Sequence, residues 1–171
     1  MKRSVAYLIA ALLGLSAILL GLLVPGGPIE TRTFSHISPV ILALFNTFLT
    51  ALGIASLVLI YFIVAGRRWA YLGAAFCGFC YFLVYALDLG GVFPVSPDEM
   101  PQALLVIEVA GIAISLPLSF LSLISTFRRS SAAGSHATHG HSKKAIAALL
   151  ALIIAVGIAI IVFATRSAMG G

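Results

Sequence analysis

Apolar residues fall in five long runs along this chain, separated by short polar interruptions. The runs cover Val5 to Val24, Pro39 to Ala65, Trp69 to Leu89, Ala103 to Phe127 and Ala145 to Thr165. Each is about 20 residues or longer, the length at which an α-helix crosses a hydrocarbon layer. Strands of a membrane barrel would instead carry a polar residue at every second position. The pattern predicts an all-α fold, an integral membrane bundle of about five transmembrane helices.

The interruptions differ in kind. Pro25-Gly26-Gly27-Pro28 breaks the chain after the first run, and Ile29 to Ser38 adds Glu30, Arg32 and His36. Gly90 to Gln102 contains Pro94, Pro97 and Pro101, which favour a stiff, non-helical segment able to cap the helix ends. Gly66-Arg67-Arg68 is so short that the second and third helices must form a tight antiparallel hairpin. Residues 128–144 are rich in Ser, Gly, Ala and His and read as a flexible cytoplasmic linker. The expected organisation is a four-helix core (1–127), this linker (128–144), and an appended fifth helix with a short outer tail (145–171). No internal repeat suggests an inverted-repeat transporter.

Composition agrees with lipid as the solvent. Of 171 residues 61% are hydrophobic and 9% charged, against roughly 25% charged in soluble domains. The net charge of +5 does not read as a nucleic-acid footprint, because the basic residues sit in short pairs between apolar runs. Those pairs set the orientation instead. With the N-terminus inside, Lys2, Arg3, Arg67, Arg68, Arg128, Arg129, Lys143 and Lys144 are cytoplasmic, and only Arg32 and Arg166 are outside. The N-terminus is therefore expected in and the C-terminus out. A cleaved signal peptide fits poorly, since the first run is too long and no Ala-x-Ala site precedes Pro25. A bacterial cytoplasmic (inner) membrane is the economical location.

All five acidic residues fall on or near the outer side. Counting about 1.5 Å of rise per residue puts Glu108 about 8 Å deep and Asn46 about 10 Å deep, with Asp88 near the boundary. A charged group at the centre of a transmembrane helix costs roughly 2.5–3.5 kcal/mol on insertion scales, and less near the ends. Glu108 must therefore face the bundle interior, a partner or water. Cys77, Tyr81, Tyr85 and Asp88 share one face of the third helix. These spacings suggest a pocket open to the outer side, built on Glu108, Asp88 and Asn46, walled by Tyr81 and Tyr85, with Arg32 nearby. It would take a cation, an amine or a lipid-like molecule. The competing reading is that Glu108 and Asp88 simply pair with Arg32 or cap the outer loops.

Other motifs read structurally. Cys77-Gly-Phe-Cys80 has redox or soft-metal spacing but lies inside an apolar helix with no second pair. His136, His139 and His141 in the linker lack a carboxylate or thiol neighbour and suit adventitious metal binding. Pro117 should kink the fourth helix. Ala147, Ala151, Ala155 and Ala159 form a small-residue stripe that could seat another helix, in this chain or in a partner.

No Ser/His/Asp arrangement, His-Glu-x-x-His or phosphate loop is present, so an enzyme, a cofactor and a specific metal are not expected. A membrane-embedded enzyme would have only Glu108, Asp88 and His36 as acid and base groups, and two further function classes stand ahead of it. One is a small membrane protein binding a ligand in the outer pocket, with membrane lipid as its other partner. The alternative is a structural subunit or assembly factor of a larger membrane complex.

Overall fold

The computed structural model describes residues 3–27, 29–130 and 143–169, with the side chains of 129–130 and 143–154 excepted. Five helices follow one another: α1 (Arg3–Leu22), α2 (Pro39–Val64), α3 (Arg68–Leu89), α4 (Gln102–Ser130) and α5 (Lys143–Ala168). Four of them, α1 to α4, are long and apolar enough to cross a membrane. The described side chains of α5 form a shorter apolar helix, Ala155–Ala168.

The helices overrun the apolar runs at several ends, because backbone hydrogen bonding continues through Arg and Gln, both good helix formers. At its C-terminal end α2 stops one residue short, and α1 stops two short, at Leu22. A residue before proline is steered away from the helical region, and Pro25 enforces the exit. Pro39 opens α2, at a position where its missing N–H is not needed. At the other end of α2, Gly66 adopts φ 77°, and the Arg67 amide reaches back to the Phe62 carbonyl. Only glycine takes that backbone conformation readily, so the turn into α3 closes in three residues.

The core lies on α3, whose buried face includes Tyr71, Ala74, Cys77, Gly78, Tyr81 and Tyr85. Its most intimate neighbour is α4. A Cβ on Gly111 would collide with the Tyr85 ring, and one on Gly78 would collide with Ser119. Ser115 and Ser122 of α4 are fully buried as well. Pro117 sits inside the same helix. Cys77 and Cys80 are buried, unbridged thiols of the α3 core.

Among the described residues α5 rests on α2 and touches no other helix. Gly157 faces Ile54 and Thr50 there, whereas Ala155 and Ala159 are exposed. The half of the small-residue stripe that is described therefore points away from the bundle. Ala147 and Ala151 lie outside the described side chains, and His136, His139 and His141 outside the described residues.

Candidate functional site

The C-terminal ends of α1, α3 and α5 and the N-terminal ends of α2 and α4 meet at one end of the bundle, where two loops cross. The loops are tied together. Asp98 accepts the Thr33 amide at 2.7 Å and the Thr33 hydroxyl at 2.8 Å, and the Ser96 hydroxyl donates to the Thr33 carbonyl. The Thr33 amide, then its hydroxyl, hold the Asp98 carboxyl below the usual carboxylate range. Phe93 stands edge-on to Phe45 of α2, 5.0 Å between centroids, which seats the second loop on the helices. The Phe34 amide donates to the Ala168 carbonyl at the end of α5.

Beneath this crossing lies a buried ion-pair cluster. The Arg32 guanidinium forks onto Asp88 at 3.0 and 2.8 Å. Its remaining donors reach Glu30 at 3.0 and 2.7 Å. The Arg32 and Glu30 side chains are each 5% exposed and Asp88 is 12% exposed. Arg32 also covers the Phe34 ring, 5.4 Å from its centroid. Burial disfavours the charged guanidinium, but hydrogen bonds to the two carboxylates outweigh it, and Arg32 is held above its ordinary range. A bidentate Arg is the side chain best matched to two carboxylates at once.

Glu108 stands outside this satisfied set. It is fully buried, and neither carboxyl oxygen has a hydrogen-bond partner among the described residues. It lies beside the Asp88 carboxyl. Two carboxyls form a hydrogen bond only when one of them carries a proton. The buried Tyr85 hydroxyl is also without a partner among the described residues. Glu108, Tyr85, Asp88, Asn46 and Glu30 line one cavity of about 40 Å³, together with Pro94 of the second loop and Ala168 of α5. One water needs about 10–15 Å³ by this measure, so the space suits about three waters or one small cation.

The structure thus brings Glu108, Asp88, Asn46 and Tyr85 to one cavity, with Arg32 bonded to its Asp88 wall. Tyr81 is placed elsewhere. It stacks on Tyr85, with centroids 6.5 Å apart, but lies a turn deeper and bonds Ser56 of α2 at 2.9 Å instead of lining the cavity. The pairing of Arg32 accounts for Asp88 and leaves Glu108 unsatisfied. Sequence reasoning missed Glu30, which supplies half of the cluster. The signal for it was its place two residues before Arg32 in a proline-flanked loop. It also missed Thr165, whose hydroxyl accepts a hydrogen bond from Asn46 at 3.1 Å and so brings α5 to the site.

Three carboxyls and one guanidinium converge here with little exposure to bulk solvent. The surplus acid can be neutralised by a bound cation or by a proton. Comparison with curated proteins and with solved structures finds no match. A protein-family model described as "Domain of unknown function (DUF8051)" matches residues 5–145. The chain belongs to this DUF8051 family.

Proposed function

We propose that the chain is a multi-pass membrane protein, N-terminus inside, that binds a small cation or primary amine in the pocket around Glu108 near the outer face. The observation that carries the reading is a fully buried carboxyl with both oxygens unpaired, lining a cavity beside a second carboxyl. Ionisable groups at such depth are functional candidates by default, because burying them without a partner is expensive. Arg32 supports the reading by satisfying Asp88 and Glu30, which leaves Glu108 as the group for the ligand. Asn46 offers its side-chain carbonyl to the same guest while its amide is held by Thr165. The orientation rests on the eight-to-two Lys and Arg bias, and a bacterial cytoplasmic membrane is the proposed location.

Guest chemistry makes the reading selective. Sodium with a water, or methylammonium, suits a space of about three waters. Tetramethylammonium is bulkier and has no N–H to donate to Glu108. The test is thermal unfolding of the purified full chain in lipid nanodiscs with each of the three chlorides at equal ionic strength. Wild type gains stability with sodium or methylammonium over tetramethylammonium, and Glu108→Gln loses that gain while remaining folded. Equal unfolding of wild type in all three salts, or an unchanged gain in Glu108→Gln, refutes the proposal.

A further inference from the structure

The small cavity around Glu108 does not end in packed side chains. It shares Leu20, Leu23, Pro25, Asn46 and Leu49 with a second cavity of about 320 Å³. This larger space runs between α1, α2 and α5, and among the described residues Asn46 and Thr50 are its only side chains with polar groups. Among the described residues no Cα of its outer walls, α1 and α5, comes within 8 Å of the other, which leaves room for the cleft to open between them. Along α2 it extends from Asn46 to Leu57, eleven residues, or about 16 Å of helix. That is about half the thickness of a hydrocarbon core, the depth of one leaflet.

We infer that the two cavities form one site for a single-chain amphipath with a primary-amine head, the ammonium seated at Glu108 and the chain lying in the α1/α2/α5 cleft. This rests on the proposed cation pocket and names the class of its ligand. Three observations argue for that occupant. The head end carries surplus acid, with the Glu108 oxygens unpaired, which selects a cation over a fatty acid. The head cavity of about 40 Å³ suits a primary ammonium, whose N–H groups can donate to Glu108 where a quaternary choline-type group has none. The cleft continues inward from the head, the direction in which a chain in the outer leaflet points.

Chain length alone is a weak discriminator, because lipid tails are as apolar as the cleft walls. The walls themselves offer a better test. Gly53 and Gly21 line the cleft, and a Cβ on either meets nothing within 4 Å. Gly53→Leu and Gly21→Leu should therefore fill the cleft without disturbing the bundle or the head cavity.

The experiment uses the full chain in nanodiscs with a dodecylamine carrying a diazirine in its chain, and maps adducts by mass spectrometry. Adducts are expected on 49–57 of α2 and 156–164 of α5. Labelling should fall about tenfold or more in Glu108→Gln, as for loss of a charge-assisted hydrogen bond, and similarly in both glycine variants. The glycine variants should keep the methylammonium stabilisation, which shows that they are folded. Equal labelling by the trimethylammonium or dodecanoate analogue, or labelling indifferent to both cleft variants, overturns the inference. If methylammonium still stabilises through Glu108 but the cleft takes no adduct, this inference alone fails. If Glu108 affects neither readout, the cation pocket fails with it.

Discussion

Replacing Arg32 by methionine keeps an apolar stem of similar reach and removes only the charge and its fork of donors. The consequence follows from burial. Arg32 and Glu30 are 5% exposed and joined at 2.7 Å, and Asp88, 12% exposed, is held at 2.8 Å. An exposed pair of this kind would be worth about 0–1 kcal/mol. Breaking a buried one from one side leaves an uncompensated charge and costs about 3–5 kcal/mol. Here two carboxyls lose their cation together, next to the unpaired Glu108, so the upper part of that range applies. For a chain of this size a loss of about 4–5 kcal/mol corresponds to a fall of about 8–20 °C in Tm. Arg32→Lys should recover part of it, since an ammonium offers a point charge without the planar fork that spans both partners. Arg32→Met combined with Asp88→Asn should be less destabilised than the sum of the single changes. The assay is thermal unfolding in nanodiscs followed by helical circular dichroism. A loss below about 1 kcal/mol for Arg32→Met would mean that water reaches the cluster, and the argument for a dry acidic pocket would fall with it.

Other expectations follow from single contacts. Gly111→Ala drives a methyl group into the Tyr85 ring and should destabilise by about 1–3 kcal/mol, with Tyr85→Ala in the same chain relieving the clash in a double-mutant cycle. Asp98 is held below its ordinary carboxylate value by Thr33, so its contribution is complete above the unfolded-state value near 4. That contribution is lost as pH falls through the lower folded value, and hydrogen exchange at the Thr33 amide should rise in that window and stay high at neutral pH in Asp98→Asn. Tyr81→Phe removes the hydrogen bond to Ser56, whose own hydroxyl stays bonded to the Leu52 carbonyl. It should cost about 0.5–1.5 kcal/mol and leave the methylammonium response intact, because Tyr81 does not line the cavity.

The helices were legible because their signal is a long uninterrupted run, and the breaks at Pro25, Gly66 and Pro94 to Pro101 mark where the chain turns. The shared depth of Glu108, Asn46 and Asp88 was legible for a similar reason: rise per residue is a constant of the helix. Which faces meet is harder to read. Helices apolar on all sides carry little record of their inward face, since residues such as Phe76 and Phe120, 67% and 65% exposed, look like core residues in sequence. Tyr81 illustrates the limit. It shares a helical face with Tyr85, yet one turn of added depth carries its hydroxyl past the cavity to Ser56. The sequence offers both Asp88 and Glu108 as partners of Arg32, and the choice of Asp88 depends on the loop path, which no helical spacing records. Glu30 was overlooked as an ordinary loop acid. The bond from Asn46 to Thr165 joins residues 119 positions apart, and no local pattern announces it.

The account stands or falls on the carboxyl of Glu108 meeting a cation, and infrared difference spectroscopy reads that carboxyl directly. A film of the full chain in lipid is exchanged between tetramethylammonium and methylammonium buffers of equal ionic strength. The predicted result is a set of difference bands in the carboxyl and carboxylate regions that vanishes in Glu108→Gln and persists in Tyr81→Phe. A flat difference spectrum for wild type, or the same bands in Glu108→Gln, would contradict it.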